Sequence, residues 1–428
     1  MPILAPKAHY FLTSRSEPDW YWVLLNPHCL ARIRNMKSDS LGQLILCGVP
    51  GKELDAASAE LFRSVQPGGF ILFGRNIETA PQLRKLIDDL RDLSETEPII
   101  TIDQEGGRVS RLRLIGSEPP NAQQLRDKDD VDLICRHGDI TGRLLRVFGF
   151  NLDLCPVLDI SFDDNADNSL RGRCYGKTVE QVVRNAGAFN DAMRKQGVAS
   201  CGKHFPGYTC AKSDAHYELP RIDRTRKELD QNELAVFRQF IGRGGSPNRP
   251  QPQIRPGSME VNRPYLEEGI IDSMMICHGW YPSLEPEKTP ASLSRRVITD
   301  LLRSEFGFDG LVMTDDLDMG AILNGYSLDQ TIRLAIEVGN DLVMICHRIP
   351  EIENVLRILG TLPREQIGRA LSSVARFKKK IAPPHEFSEA AFRKIDNEIW
   401  DLRVATLGEE RAKQRSVEDG KRSPVEIY

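Results

Sequence analysis

The chain has 428 residues, enough for two or three average domains or for one large barrel. Apolar side chains make up 40% and charged ones 28%, which excludes a wholly disordered chain. The net charge is −4, from 57 Lys and Arg against 61 Asp and Glu, so no strong basic field arises and nucleic acid is not expected as a partner.

Residues 1–40 show little periodicity and read as an N-terminal extension with helical character near Trp20 to Arg34. Lys7, Arg15, Glu17 and Asp19 interrupt its apolar stretches, so no signal-peptide core is expected. No apolar run anywhere reaches the roughly 18 residues of a membrane-spanning helix, so no membrane partner is expected. From residue 41 a rhythm begins. Short apolar runs stand at 43–48, 69–74, 98–103, 150–156, 198–204, 273–278, 310–315 and 341–347, rich in Ile, Leu, Val and Met. They have the composition of strands buried on both faces, as in parallel sheets. Helical spacing of apolar residues lies between them, over Ala57 to Val65, Pro81 to Leu93, Val179 to Lys195, Lys227 to Phe240, Arg296 to Glu305, Leu328 to Val338 and Ile352 to Leu359. Pro81 suits a first helical turn.

Strand and helix alternate about eight times. The expected fold class is therefore α/β, a (β/α)8 TIM-type barrel over 41–385, rather than the alternative of a doubly wound open sheet. Residues 242–264, rich in Pro, Gly and Arg, read as a flexible insertion after the fifth helix. Residues 386–428 hold an amphipathic helix over Phe387 to Leu402 and then a charged tail expected to be disordered. The nine cysteines are scattered and form no CxxC pair; Cys47, Cys155, Cys201, Cys277 and Cys346 sit inside apolar runs, as reduced buried thiols do. These features together suggest a cytoplasmic protein.

Chemistry in such barrels gathers at the C-terminal ends of the strands. Here the third run ends in Asp103, the fifth in Lys203 and His204, the sixth in His278, the seventh in Asp315 and Asp316, and the eighth in His347. Burying that many ionisable groups is costly unless they pair or serve function. There is no GxxxxGK[ST] phosphate loop, HExxH pair or two-His-one-carboxylate pattern, so neither a cofactor nor a metal is expected. Carboxylates (Asp103, Asp315), fixed cations (Arg111, Arg173, Lys203) and imidazoles (His204, His216) suit a polar, uncharged ligand with many hydroxyls, such as a sugar.

Five segments carry a resemblance: IDQEGGRVSRL (102–112), NLDLCPVLDI (151–160), RCYGKT (173–178), KHFPGYTCAKSDAHYELP (203–220) and GFDGLVMTDDLDMGAI (307–322). In order and spacing they resemble the family 3 glycoside hydrolases, and more narrowly the single-domain β-N-acetylhexosaminidases of that family, over about 41–347. The resemblance implies a retaining exo-acting β-N-acetylglucosaminidase acting on amino sugars from cell-wall (peptidoglycan) fragments. It implies that Asp315 is the nucleophile, with Asp316 in support, and that His216 is the acid/base, oriented by Asp214. It further implies that Asp103, Arg111, Arg173, Lys203 and His204 grip the sugar hydroxyls. The chemistry is coherent: a carboxylate forms a glycosyl-enzyme that water releases with retention. An imidazole, as a residue type, titrates near neutral pH without much tuning.

One departure stands out. The family commonly has His-Gly-Asp-Thr after KHFPG, where this chain has Tyr208-Thr209-Cys210-Ala211, although the spacing to Asp214 and His216 is kept. A stiffer or differently anchored loop is expected. The alternatives are a β-glucosidase- or xylosidase-like enzyme of the same family, a sugar-binding barrel that has lost catalysis, and a phosphorolytic outcome. His278 is expected either to line the mouth without a chemical role or to sit behind it as a hydrogen-bonded histidine, His347 to be structural, Asp159 to be a supporting or helix-starting acid, and Trp280 and Tyr281 to lie either on a sugar ring or as rim cover.

Overall fold

The computed structural model describes residues 38–166, 168–211, 213–241 and 271–416. Most of the expected N-terminal extension, the 242–264 insertion and the tail from 417 onward lie outside them.

Eight parallel strands close into a barrel: β1 (Ile45–Gly48), β2 (Gly69–Leu72), β3 (Ile99–Ile102), β4 (Leu152–Asp153), β5 (Ala199–Phe205), β6 (Ser273–Ile276), β7 (Leu311–Asp316) and β8 (Leu342–Ile345). Each follows its predecessor around the ring, and β1 meets β8 through Ile45↔Val343, Leu46↔Met344 and Cys47↔Ile345. The closed alternative won over an open sheet because eight apolar strands leave no edge unpaired. Strands β1, β2, β3, β6 and β8 are buried at every residue, which explains why their sequences are continuous apolar runs. The fourth expected run shrinks to two paired residues; beyond them Val157 bridges to Lys203, and the Cys201 and Lys203 N–H groups reach the Cys155 and Pro156 carbonyls.

The outer helices begin where local capping chemistry starts them. Thr79 and Gln82 form a capping box ahead of Ala80–Asp92, Ser327 and Gln330 do so ahead of Leu328–Glu337, and the Thr178 hydroxyl accepts the Gln181 N–H at the start of Val179–Lys195. The expected helix Lys227 to Phe240 is two, Arg226–Gln231 and Glu233–Phe240, broken at Asn232, whose φ of −123° and ψ of −91° are not helical. The segment Arg296–Glu305 is wound wide, the Phe306 N–H reaching the Leu301 carbonyl. Two long helices went unpredicted, Val131–Phe148 and Arg364–Lys378, as did the short Ala122–Lys128, Gly320–Leu323 and Glu409–Ala412.

Beyond the barrel, Glu389–Leu407 extends the predicted C-terminal helix and packs on Val131–Phe148, with the Phe392 and Phe148 rings 5.2 Å apart and Arg143 ion-paired to Glu398. The tail expected to be disordered is ordered as far as 416. Arg403 holds the Ala412 and Gln414 carbonyls, and the buried Glu118 carboxylate receives the Ser416 N–H and hydroxyl. Glu118 is buried with two arginines, Arg113 and Arg403, and these contacts repay the ordering of a charged segment.

Two irregularities decide where side chains point. On a regular strand neighbours alternate faces. Between β5 and β6 the register advances three residues against two, from Gly202↔Met274 to Phe205↔Ile276, and between β7 and β8 likewise, from Met313↔Leu342 to Asp316↔Met344. These bulges re-aim side chains, so that adjacent Lys203 and His204, and adjacent Asp315 and Asp316, face the same space.

Candidate active site

A pocket opens at the C-terminal end of the barrel. The eight residues given catalytic or sugar-binding roles from the resemblance all line it: Asp103, Arg111, Arg173, Lys203, His204, Asp214, His216 and Asp315. They come from segments as far apart as 103 and 315, and closure of the barrel brings them to one mouth.

The floor is an ionic net. Lys203 Nζ lies 2.7 Å from Asp103 Oδ1 and 2.6 Å from Glu105 Oε1. Arg173 donates Nε and Nη2 to the two Glu105 oxygens at 2.7 Å each, a bidentate pair, and Nη1 to the Ser169 carbonyl at 3.0 Å. Arg111 stands 3.7 Å from Asp103. Burial opposes ionisation of Asp103, yet Lys203 and Arg111 outweigh it and hold the carboxyl below its ordinary range. Burial likewise opposes the Lys203 charge, and Asp103 and Glu105 overcome it, so the ammonium is held above its usual range. The result is a rigid array of charged donors and acceptors that stays ionised although buried. Glu105 was not singled out from the sequence. Its signal was its place two residues after Asp103, the same-face spacing of an extended segment.

Asp153 is the exception in this net. Burial pushes its carboxyl up to about 8, and Asp103 and Glu105 add to the rise. One of its oxygens accepts the Gln104 N–H at 3.0 Å.

Two histidines are oriented by carboxylates. His204 Nδ1 donates to Asp159 Oδ2 at 2.7 Å, and its Nε2 faces Arg173 at 3.4 Å, which makes Nε2 the acceptor. His216 Nδ1 donates to Asp214 Oδ1 at 2.6 Å, and the same oxygen takes the His216 N–H at 3.0 Å. That pairing fixes Nε2 as the nitrogen able to exchange a proton with a ligand.

Around Asp315 the backbone is pinned. Its Oδ1 accepts the Asp316 N–H at 2.8 Å. His278 is fully buried behind the pocket rather than at its lining. Its Nε2 donates to the Asp316 carbonyl at 2.8 Å, and its Nδ1 pairs with the Ser292 hydroxyl at 2.7 Å. Burial lowers its pKa and keeps the ring neutral. Asp316 also lines the pocket. Its Oδ1 takes the Asp318 and Cys346 N–H groups, its Oδ2 sits 3.4 Å from His347 Nε2, and burial pushes its carboxyl up to about 8, with Asp318 and Asp315 adding repulsion. His347 lines the pocket, held neutral by burial and by Arg75, which donates to its Nδ1; its pKa falls to about 4. Tyr281 is buried and Trp280 half-buried, and neither lines the pocket: Trp280 lies under the Arg221 guanidinium, and Tyr281 donates to the Gly207 carbonyl. Asp159 acts through His204 and Tyr208 rather than on a ligand.

Among the described residues no group of three or more His, Cys, Asp or Glu is placed to hold a metal ion. The eight described cysteines are all free, and no described helix is long and apolar enough to cross a membrane.

Comparison with known proteins places the chain in a family. The sequence profile described as "Glycosyl hydrolase family 3 N terminal domain" matches residues 36–248 and 242–377. The β-hexosaminidase of Vibrio cholerae is 32% identical over 361 residues, 84% of this chain and 95% of that protein. The β-hexosaminidase of Pseudomonas aeruginosa is 30% identical over 323 residues, 75% of this chain and 87% of that protein. Among solved structures, a family 3 β-N-acetylglucosaminidase from Paenibacillus sp. superimposes with a TM-score of 0.75 at 30% identity, over 87% of this chain and 69% of that one. NagZ from Neisseria gonorrhoeae, solved with N-trifluoroacetyl-D-glucosamine, gives 0.68 at 25% identity, over 84% and 97%. An eight-stranded barrel, a pocket lined by the motif residues and these matches lead to one conclusion: the chain belongs to glycosyl hydrolase family 3 and is a glycoside hydrolase.

Proposed function

We propose that the protein is a retaining exo-β-N-acetylglucosaminidase that removes terminal β-linked N-acetylhexosamine, with cell-wall (peptidoglycan) saccharides as its natural source. The observation that carries the reading is the 2.6 Å contact of His216 with Asp214 in the same pocket as Asp315. In the first step Asp315 attacks the anomeric carbon while His216 Nε2–H passes its proton to the leaving oxygen, giving a glycosyl-enzyme and a free alcohol. In the second, neutral His216 takes a proton from water, which attacks the same carbon and frees Asp315. Asp214 holds the ring in one tautomer and stabilises the imidazolium. Asp103, Arg111, Arg173, Lys203 and His204 receive the sugar hydroxyls. Their mutual pairing supports this role, because a net already ordered loses little entropy on binding. The β-hexosaminidase relatives and the NagZ complex support the N-acetylated sugar.

The altered stretch Tyr208 to Ala211 motivates the reading of a barrel without catalysis. The hydrogen-bonded dyad favours the enzyme. The test is release of nitrophenol from 4-nitrophenyl β-N-acetylglucosaminide, with the β-glucoside in parallel. Turnover of the N-acetylated substrate by wild type and its loss by at least about a thousandfold in Asp315→Ala are expected. Equal turnover by the variant, or preference for the glucoside, would reject the proposal.

A further inference from the structure

The loop residues 207–211 and 213–217 are largely irregular, so no backbone ladder of theirs holds the dyad they carry. The loop's ends are tied from outside. Tyr281 donates to the Gly207 carbonyl at 2.6 Å. The Gly320 and Ala321 N–H groups bind the His216 and Ala215 carbonyls at 3.0 and 2.9 Å, and Asn324 donates to the Tyr217 carbonyl at 2.7 Å. The contact with Gly320 is so close that a Cβ there would lie 2.6 Å from both the His216 and Tyr217 carbonyls. Between these ties one side chain spans the loop. Tyr208 is 6% exposed; its N–H goes to Asp159 Oδ1 at 2.6 Å, and its ring lies 6.0 Å from that of His204. Its hydroxyl accepts the Ala215 N–H at 3.0 Å and points its proton toward the Ser213 carbonyl at 3.5 Å. Ala215 is the residue between Asp214 and His216.

We propose that Tyr208 is a positioning residue for proton transfer: its hydroxyl clamps the peptide between Asp214 and His216 and so aims the dyad at the leaving oxygen. The proposal rests on the acid/base assignment above. One acid, Asp159, grips both His204 in the sugar-binding net and the Tyr208 backbone, so the phenol joins the part that holds the sugar to the part that delivers the proton. It also gives a function to a residue of the stretch Tyr208 to Ala211, where the family resemblance breaks. The loop is held in its working position by a side chain built into it.

The test uses the leaving group. A 2,4-dinitrophenolate departs without a proton, whereas 4-methoxyphenolate needs one, and kcat/KM reports the bond-breaking step for both. In Tyr208→Phe, kcat/KM for the 4-methoxyphenyl β-N-acetylglucosaminide is expected to fall about tenfold, part of the roughly hundredfold or more that a general acid supplies, while the 2,4-dinitrophenyl value stays within about threefold. Tyr208→His keeps an aromatic ring without a hydroxyl at that position; it is the second variant and is expected to give the same contrast. Equal losses on both substrates, or none on either, would overturn the proposal. His216→Ala is the reference. If it shows a steep contrast and the Tyr208 variants do not, this inference alone fails; if His216→Ala treats both substrates alike, the acid assignment fails and the inference with it.

Discussion

Glu105→Gln removes the central anion of the pocket floor without changing its shape. Glu105 is 4% exposed and receives three charge-assisted contacts, two from Arg173 at 2.7 Å and one from Lys203 at 2.6 Å. Each such bond contributes about 1.5–3 kcal/mol net. Gln keeps one acceptor oxygen, but its NH2 then faces a cation. Arg173 keeps one contact to that oxygen and the Ser169 carbonyl, and Lys203 keeps Asp103, but both cations stay buried without the Glu105 charge. Removing one partner of a buried ion pair costs about 3–5 kcal/mol, a large share of the roughly 5–15 kcal/mol that stabilises a typical native protein. Urea unfolding followed by circular dichroism measures the loss. Because Arg173 and Lys203 are also expected to hold the sugar, kcat/KM on the nitrophenyl substrate should fall about ten- to a hundredfold, the scale of a small misplacement. Glu105→Met with Arg173→Met removes both charges, so it should cost less than the sum of the single changes. An unfolding free energy within about 1 kcal/mol of wild type for Glu105→Gln, together with unchanged kcat/KM, would refute the reasoning.

Two further outcomes follow from the same geometry. Asp153 carries a carboxyl pushed up to about 8 against an ordinary 3.8, so between those values the native state holds a proton that the unfolded chain has given up. The Asp153 contribution to stability therefore falls as pH rises from about 4 to 8 and levels off above. Asp153→Asn copies the neutral acid and should flatten this slope, gaining on wild type by at least on the order of 1 kcal/mol between pH 5 and 8.5 in urea unfolding; parallel slopes would contradict it. Gly207→Ala adds a Cβ 2.5 Å from the Glu233 Cβ at a φ of +121°, so it should destabilise the protein by about 2 kcal/mol or more and lower turnover by displacing the dyad loop. A soluble variant with wild-type unfolding and turnover would show that the loop is less tightly seated than its contacts imply.

Local chemistry made much of this protein readable from its sequence. Strands buried on both faces are apolar at most positions, and Thr79, Thr178 and Ser327 cap their helices within three residues, so the β/α rhythm could be counted to eight. Pocket residues closing strands, such as Asp103 and Asp315, stood out because ionisable groups at the ends of apolar runs need a reason to be there. The helix Val131–Phe148, between the third and fourth strands, shares its buried face between Val179–Lys195, where His137 meets Phe189, and the C-terminal helix, where Phe148 meets Phe392.

The sequence by itself determined the strand–helix period and, with the family resemblance, eight members of the pocket, because those patterns lie within short segments. Only the tertiary structure decided how those members pair. Alternation would send Lys203 and His204 to opposite faces, and the bulge against β6 brings both to the mouth. Glu105 became the anchor of Arg173 and Lys203 only when segments 68 and 98 residues apart came together. The tail through Ser416 is ordered by a buried carboxylate almost 300 residues away, and Tyr208 braces the dyad because Asp159, Tyr281 and Gly320 seat its loop. Such contacts join points distant in sequence, and their strength comes from burial, which no local pattern records.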